Sequence, residues 1–234
     1  MLHKIGVIGG NGVAATNKLL ELIENDYTKG GAFRDCHHPE MIIWQATQAP
    51  SRSMFLEGKG ESFVPAYIDI SKKLKDCGCD KICMCCNTAH WAIDEISRQA
   101  DVHFLNLVEE CVLRVCKLQA QNVGLIASDG CLQGKVYERY FQEICPKVKI
   151  IYPDEKYQQM VTKGICNAKN IHRYDAYGSA ENPEYLFYLV DEHLKNRGAE
   201  TTIMGCTDIR AVYYNQNNID SLEVLKNLII QNAS

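Results

Sequence analysis

The sequence predicts an α/β fold built as two pseudo-symmetric domains, each a mostly parallel sheet flanked by helices, with a site in the cleft between them. Three observations carry this prediction. Short apolar runs ending in glycine alternate with helical patterns, which is how parallel strands read when helices cover both faces of their sheet. The opening strand and its glycine turn, Lys4 to Gly12, recur at Asn122 to Gly130, with Gly6 over Gly124, Ile8 over Ile126 and Gly12 over Gly130. A second block also recurs: Leu74-Lys75-Asp76-Cys77-Gly78, a strand and Met84-Cys85-Cys86 line up with Leu194-Lys195-Asn196-Arg197-Gly198, a strand and Met204-Gly205-Cys206.

In chain order, the strand from Lys4 runs into Gly9-Gly10-Asn11-Gly12, and a helix follows over Thr16 to Tyr27. The stretch from Ala32 to Gly60 holds prolines, glycines and a strand around Met41 to Ala46, then a loop. A helix over Pro65 to Lys75 ends at Gly78 as a C-cap, and a buried strand delivers Cys86 at its carboxyl end. Capping residues and a helical segment come next, then a helix over Val108 to Leu118. The second copy follows the same plan, with its helix over Glu184 to Asn196, Gly198 as C-cap and Cys206 at the strand end. Ser221 to Ile230 closes the chain as a helix. We expect residues 1–106 with 208–234 to form the domain carrying Cys86, and 107–207 the domain carrying Cys206.

The chain has 234 residues, 46% hydrophobic and 23% charged, the composition of a packed globular protein. A net charge of −4 without a basic patch argues against nucleic acid as a partner. No apolar run nears the roughly 18 to 20 residues of a membrane span, and the start lacks a signal-peptide pattern, so no membrane partner and a cytoplasmic location are expected. Twelve cysteines without an export signal read as thiols, most of them small buried hydrophobes.

Cys86 and Cys206 stand apart because they occupy one equivalent position, at the strand ends where open parallel sheets bind ligands. A helix N-terminus can lower a thiol from about 8.5 into the range of about 3.5 to 7.5 and can also hold a carboxylate. Two opposed thiols suit removal of a Cα proton on one face and its return on the other, one acting as base and one as acid. No pyridoxal-phosphate site is marked, and no cofactor is expected. The alternatives for this region are buried structural thiols or a zinc site, since Cys77, Cys79, Cys83, Cys85 and Cys86 include a C-x-x-C spacing. Ile82-Cys83-Met84-Cys85, however, reads as a strand, and no distant pair completes four ligands. Cys36-His37-His38 reads as a loop with solvated histidines, and no metal is expected. His90 reads as a packing or orienting residue.

At these residues the chain resembles the aspartate/glutamate racemase family over nearly its whole length. Gly9-Gly10-Asn11-Gly12 with Ala15-Thr16 is similar to that family's opening glycine turn. Cys86-Asn87-Thr88-Ala89-His90 resembles its first cysteine motif and Gly205-Cys206-Thr207-Asp208-Ile209 its second. The resemblance implies a cofactor-independent isomerase, an amino-acid racemase acting as a homodimer on an acidic amino acid, aspartate first and glutamate second. It implies that Cys86 and Cys206 are catalytic, serving the D- and L-enantiomer respectively. It further implies substrate contacts from Asn11, Arg52, Asn87, Thr88, Ser128, Lys163 and Thr207, with Asp208 and Gly10 in support. Arg52, in Pro50-Ser51-Arg52-Ser53, matches an arginine that holds a substrate carboxylate, and Lys163 matches a substrate-side lysine. Three places depart from the family pattern: Ser51 stands for aspartate, Asp208 for glutamate, and Ala127-Ser128-Asp129-Gly130-Cys131 for a threonine-rich version of the second glycine turn. They leave open two alternatives, a non-catalytic or regulatory small-molecule-binding homologue and a related isomerase acting on another amino acid or dicarboxylic acid.

Overall fold

Each half of the chain opens on an apolar strand that both neighbouring strands bury. In the computed structural model, which describes residues 3–170, 172 and 179–233, the first half runs β1 (Ile5–Gly9), α1 (Val13–Lys29), β2 (Met41–Gln45), α2 (Arg52–Leu56), α3 (Val64–Asp76), β3 (Lys81–Met84), α4 (Ile93–Ala100), β4 (Phe104–Leu105) and α5 (Leu107–Leu118). The second half runs β5 (Asn122–Ile126), α6 (Asp129–Gln133), α7 (Glu138–Ile144), β6 (Lys149–Ile151), α8 (Glu155–Ala168), α9 (Pro183–Asn196), β7 (Thr201–Met204), β8 (Ile219–Asp220) and α10 (Ser221–Ala233). The strands form two parallel four-stranded sheets, ordered β2-β1-β3-β4 and β6-β5-β7-β8. Two pseudo-symmetric α/β domains are therefore present, as the repeats predict.

Register explains why the two cysteines are equivalent. Ile8 pairs with Met84 and Ile126 with Met204, so each glycine turn leaves its sheet at the same edge as the cysteine-bearing turn beside it. The ladder continues one step beyond each strand, with Cys85 N donating to Ile8 O at 2.9 Å and Gly205 N to Ile126 O at 2.7 Å. The helices that feed these strands end alike. Gly78 (φ +83°) and Gly198 (φ +94°) take the left-handed conformation, and the amides of Gly78 and Cys79, like those of Gly198 and Ala199, cap the last carbonyls of α3 and α9.

Three apolar layers result. A central core lies between the sheets and joins α1, α5 and α10 with Ile5, Val7, Cys83, Cys85, Val123, Leu125 and Ile203. The outer face of the first sheet packs Ile8, Ile82, Met84 and Cys86 against α3 and α4, and that of the second packs Ile126 and Met204 against α8 and α9. Alternation along β3 thus sends Cys83 and Cys85 to one side and Met84 to the other. No group of three or more His, Cys, Asp or Glu among the described residues is placed to hold a metal.

Two expectations are corrected. Ile219–Asp220, assigned to the first domain, pairs with β7 in the second sheet, while the helix it leads into, α10, packs on α1 and β1. The chain crosses between halves at the end of that short strand. The expectation that every cysteine is a thiol also fails, because packing of α5 on α7 brings Cys116 and Cys145 together, and they form a disulfide with Cα atoms 6.3 Å apart. No described helix is long and apolar enough to cross a membrane.

Candidate active site

The turn after each cysteine docks on the other half of the molecule. Thr88–Ala92 and Thr207–Ala211 are 3-10 turns, the first packed on α2 and α6 and the second on α1. The expected α-helix N-terminus directly behind each thiol is therefore replaced by one tight 3-10 turn; after Cys86 the α-helix proper starts only at Ile93. Cross-bonds fix the seam. Thr207 Oγ1 donates to Cys85 O at 3.1 Å, Thr88 Oγ1 meets Ser128 Oγ at 3.1 Å, and Gly130 N donates to Ser53 Oγ at 3.0 Å. Cys86, 9% exposed, and the half-buried Cys206 act on one another electrostatically across this seam.

Asn87 is clamped. Its Nδ2 donates to Ser221 Oγ at 3.0 Å and its Oδ1 accepts from Tyr137 OH at 2.6 Å. Ser128 caps α6 by accepting from Cys131 N, so its hydroxyl both caps and meets Thr88. His90 is fully buried, and desolvation drives its imidazole down to about 4, so it is neutral. Its Nε2 accepts from Leu107 N at 3.2 Å, which leaves Nδ1 to donate to Cys86 O at 2.9 Å. That bond ties the Cys86 turn to the start of α5.

Charge is distributed unevenly between the two thiols. The Arg52 guanidinium faces Cys86 and Asp208, anchored by NH1 to Pro50 O at 3.0 Å and NH2 to Asn11 O at 3.3 Å. Asp208, two residues past Cys206, lies against Gly12 so closely that a Cβ there would collide with its Oδ1. Burial pushes the Asp208 carboxyl up to about 6 against the pull of Lys169 and Arg52. Burial, and next the Asp208 charge, pushes the Cys206 thiol well above its ordinary range. The lowered thiol expected at this position is thus reversed for Cys206, because desolvation and a neighbouring carboxylate both disfavour thiolate.

A cavity of about 360 Å³ opens at the first glycine turn, lined by residues that include Gly10, Asn11, Gly12, Ser51, Arg52 and Lys169. Gly10 (φ +76°) is a backbone requirement there, since a Cβ would fall 2.7 Å from Ala46 N. Lys169, which the motifs do not single out, supplies the second cation, its charge reaching both Cys206 and Asp208. Lys163 lies elsewhere: it is half-exposed, ion-pairs with Glu181 and faces a groove with Asp129, Gln158 and Cys166. The structure thus places Gly10, Asn11 and Arg52 at the cavity, with Arg52 also facing Cys86 and Asp208, sets Asn87, Thr88, Thr207 and Asp208 in the two cysteine turns with Ser128 against Thr88, and leaves Lys163 outside. Sequence reading also misses Tyr67, which is wholly buried in α3 with its hydroxyl hydrogen-bonded to Asn11 Nδ2.

Paired sheets that bring two cysteines to one cleft define a class, the two-domain α/β racemases. The chain belongs to the Asp/Glu/Hydantoin racemase family, a family of isomerases, whose model matches residues 5–223. It is 25% identical over 210 residues to the broad specificity amino-acid racemase RacX of Bacillus subtilis, covering 89% of this chain and 86% of that protein. Its fold is similar to that of Picrophilus torridus aspartate racemase, with a TM-score of 0.82, 24% identity, and coverage of 98% and 94% of the two chains. It is also similar to Francisella tularensis glutamate racemase in complex with D-glutamate, with a TM-score of 0.59, 15% identity, and coverage of 98% and 82%.

Proposed function

We propose that this protein racemises an acidic amino acid, aspartate in preference to glutamate, without a cofactor and by proton transfer between Cys86 and Cys206. The observation that carries this reading is the delivery of two thiols by equivalent strand ends to one seam, beside the two cations Arg52 and Lys169. Burial and Asp208 keep the proton on Cys206, whereas Arg52 sets a positive charge before Cys86. In the first stroke Cys86, as thiolate, takes the Cα proton of the D-enantiomer while Cys206 donates to the opposite face. The L-enantiomer is handled with the roles exchanged.

Removal of the Cα proton places negative charge on the α-carbon and carboxylate, so fixed dipoles and cations at the carboxylate lower the barrier. Thr88, Ser128 and Thr207 serve that end, with Asn87 holding the turn in shape. Arg52 and Lys169 serve the side-chain carboxylate, a role assigned to Lys169 in preference to Lys163 because only Lys169 lines the cavity with Arg52. The reading includes a homodimer, carried by the resemblance alone, and a cytoplasmic location, carried by the sequence expectation alone.

A wider substrate range is the second reading, favoured by the likeness to a racemase described as of broad specificity. Incubating the protein with single L-amino acids and no added cofactor, followed by chiral chromatography, tests both. D-aspartate forming fastest supports the first reading, similar rates across neutral amino acids support the second, and no inversion of any amino acid contradicts both.

A further inference from the structure

The acidic-substrate reading leaves one substrate group without a partner, the α-ammonium. The cavity at the first glycine turn has Arg52 and Lys169 as its charged lining residues, which suits carboxylates and repels an ammonium. An ammonium offers only donors, so it requires an acceptor, and a carboxylate supplies opposite charge as well as lone pairs.

Among the described residues three carboxylates are buried, those of Asp191, Asp208 and Asp220. Two of them are satisfied within the fold. Asp191 accepts from Tyr213, Asn215, Asn218 and Lys195, and Asp220 pairs with Arg210 Nε at 2.7 Å and accepts from Leu222 N at 2.9 Å. The Asp208 carboxylate has no hydrogen bond or ion pair among the described residues; burial and the charges of Lys169 and Arg52 are all that act on it. The residue is only 5% exposed, yet, unlike Asp191 Oδ1, its oxygens are not sealed from solvent. Buried charges are ordinarily paired, so a bare one at a ligand site calls for a partner from the ligand.

Position and charge both suit the ammonium. Asp208 Oδ1 takes the place that a side chain on Gly12 would fill, 1.6 Å from the Cβ position, and Gly12 lines the cavity, so the carboxylate stands at the cavity wall. Its charge also acts on Cys206, one of the two thiols between which the substrate's Cα, the carbon that bears the ammonium, has to lie. Two cations and one carboxylate mirror the two carboxylates and one ammonium of an acidic amino acid. A dicarboxylate without the amine would instead bring its negative charge up to an unpaired Asp208.

Resting on the proposed reading, we infer that the Asp208 carboxylate binds the substrate's α-ammonium and so selects amino acids over deaminated dicarboxylates.

The experiment compares wild type with Asp208→Asn at pH 7.5, where the wild-type carboxyl, raised by burial to about 6, is ionised. Calorimetric binding is measured for racemic aspartate, whose composition turnover does not change, and for succinate, the same dicarboxylate without the amine. The two ligands should move in opposite directions. Aspartate should bind about tenfold more weakly or worse, the worth of a hydrogen bond between charged groups, and succinate several-fold more tightly through loss of a repelling charge. Asp208→Ala, which adds no amide donor, should give the same crossing and serves if the asparagine variant folds poorly. Weakening of both ligands would mean that Asp208 only shapes the pocket, tightening of both that it only opposes the carboxylates, and no change in either that it serves Cys206 alone; each overturns the inference. Racemisation by wild type is scored separately: no aspartate turnover sinks the acidic-substrate reaction whatever the binding contrast, and a wild type that binds neither ligand sinks both.

Discussion

Replacing Asp208 with asparagine should make the protein more stable at neutral pH and shift the pH dependence of its catalysis. The folded-state carboxyl titrates at about 6 instead of 3.8, chiefly because burial disfavours its charge. A folded value above the unfolded one means that the protein is at full strength below pH about 4, where the group is neutral in both states. Stability is then lost as pH rises through 6, where ionisation has to occur in a buried site. A rise from 3.8 to about 6 corresponds to about 3 kcal/mol at about 1.4 kcal/mol per pH unit. Asparagine has nearly the same shape and never ionises. For a chain of this size about 1 kcal/mol moves Tm by roughly 2 to 4 °C, so Asp208→Asn should raise Tm by about 6 to 12 °C at pH 7.5 and leave it nearly unchanged at pH 4. An unpaired amide will subtract part of that gain. Thermal unfolding of both proteins between pH 4 and 8 measures it. A variant less stable than wild type at pH 7.5, or a difference that does not grow with pH, would show that the carboxyl is not held neutral-leaning by its surroundings. The same substitution removes a negative charge beside Cys206, so the acid limb of kcat/KM for the direction in which Cys206 is the base should move to lower pH.

Cys86→Ser and Cys206→Ser should each abolish racemisation with Tm within a few degrees of wild type; full activity in either variant contradicts a two-base reaction. Lys169→Met should raise KM for aspartate at least tenfold, whereas Lys163→Met, which breaks only the pair with Glu181, should leave it within twofold; steady-state kinetics on both variants decides between the two lysines. Asp191 is fully buried in α9, and its Oδ2 accepts from Tyr213, Asn215, Asn218 and Lys195. Its replacement by alanine should cost about 3 to 5 kcal/mol in urea unfolding because those donors lose their partner. Cys145→Ser, which opens the link to Cys116, should lower stability by about 2 to 4 kcal/mol when both proteins are kept oxidised.

Much of this architecture is legible in the residues because its signals are local and occur twice. Glycines at 78 and 198 end equivalent helices, and the strands behind them reach Cys86 and Cys206 at matching register. The parts that escape are set by distant chain segments. β8 is two residues long and is a strand only because β7 lies beside it, so no periodicity marks it. Lys163 and Lys169 share one lysine-bearing stretch, and which of them reaches the cleft depends on which face α8 turns outward. Tyr67 reads as one more apolar position on α3, and its hydroxyl gains meaning only when Asn11 arrives from the first glycine turn. The thiol shift of Cys206 likewise depends on burial and on the placement of Asp208, which outweigh what a short turn of backbone amides supplies.

The most direct test of a reaction shared between Cys86 and Cys206 is where deuterium first lands. L-aspartate is incubated with wild-type protein in deuterated water, and the two enantiomers are separated and analysed by mass early in the reaction. Two opposed thiols predict D-aspartate carrying deuterium at Cα while the remaining L-aspartate is still protonated there, because the base that removes the proton does not return one from solvent to the same face. Deuterium appearing in unreacted L-aspartate as fast as in the D-product would mean that one group serves both faces, and would contradict the account.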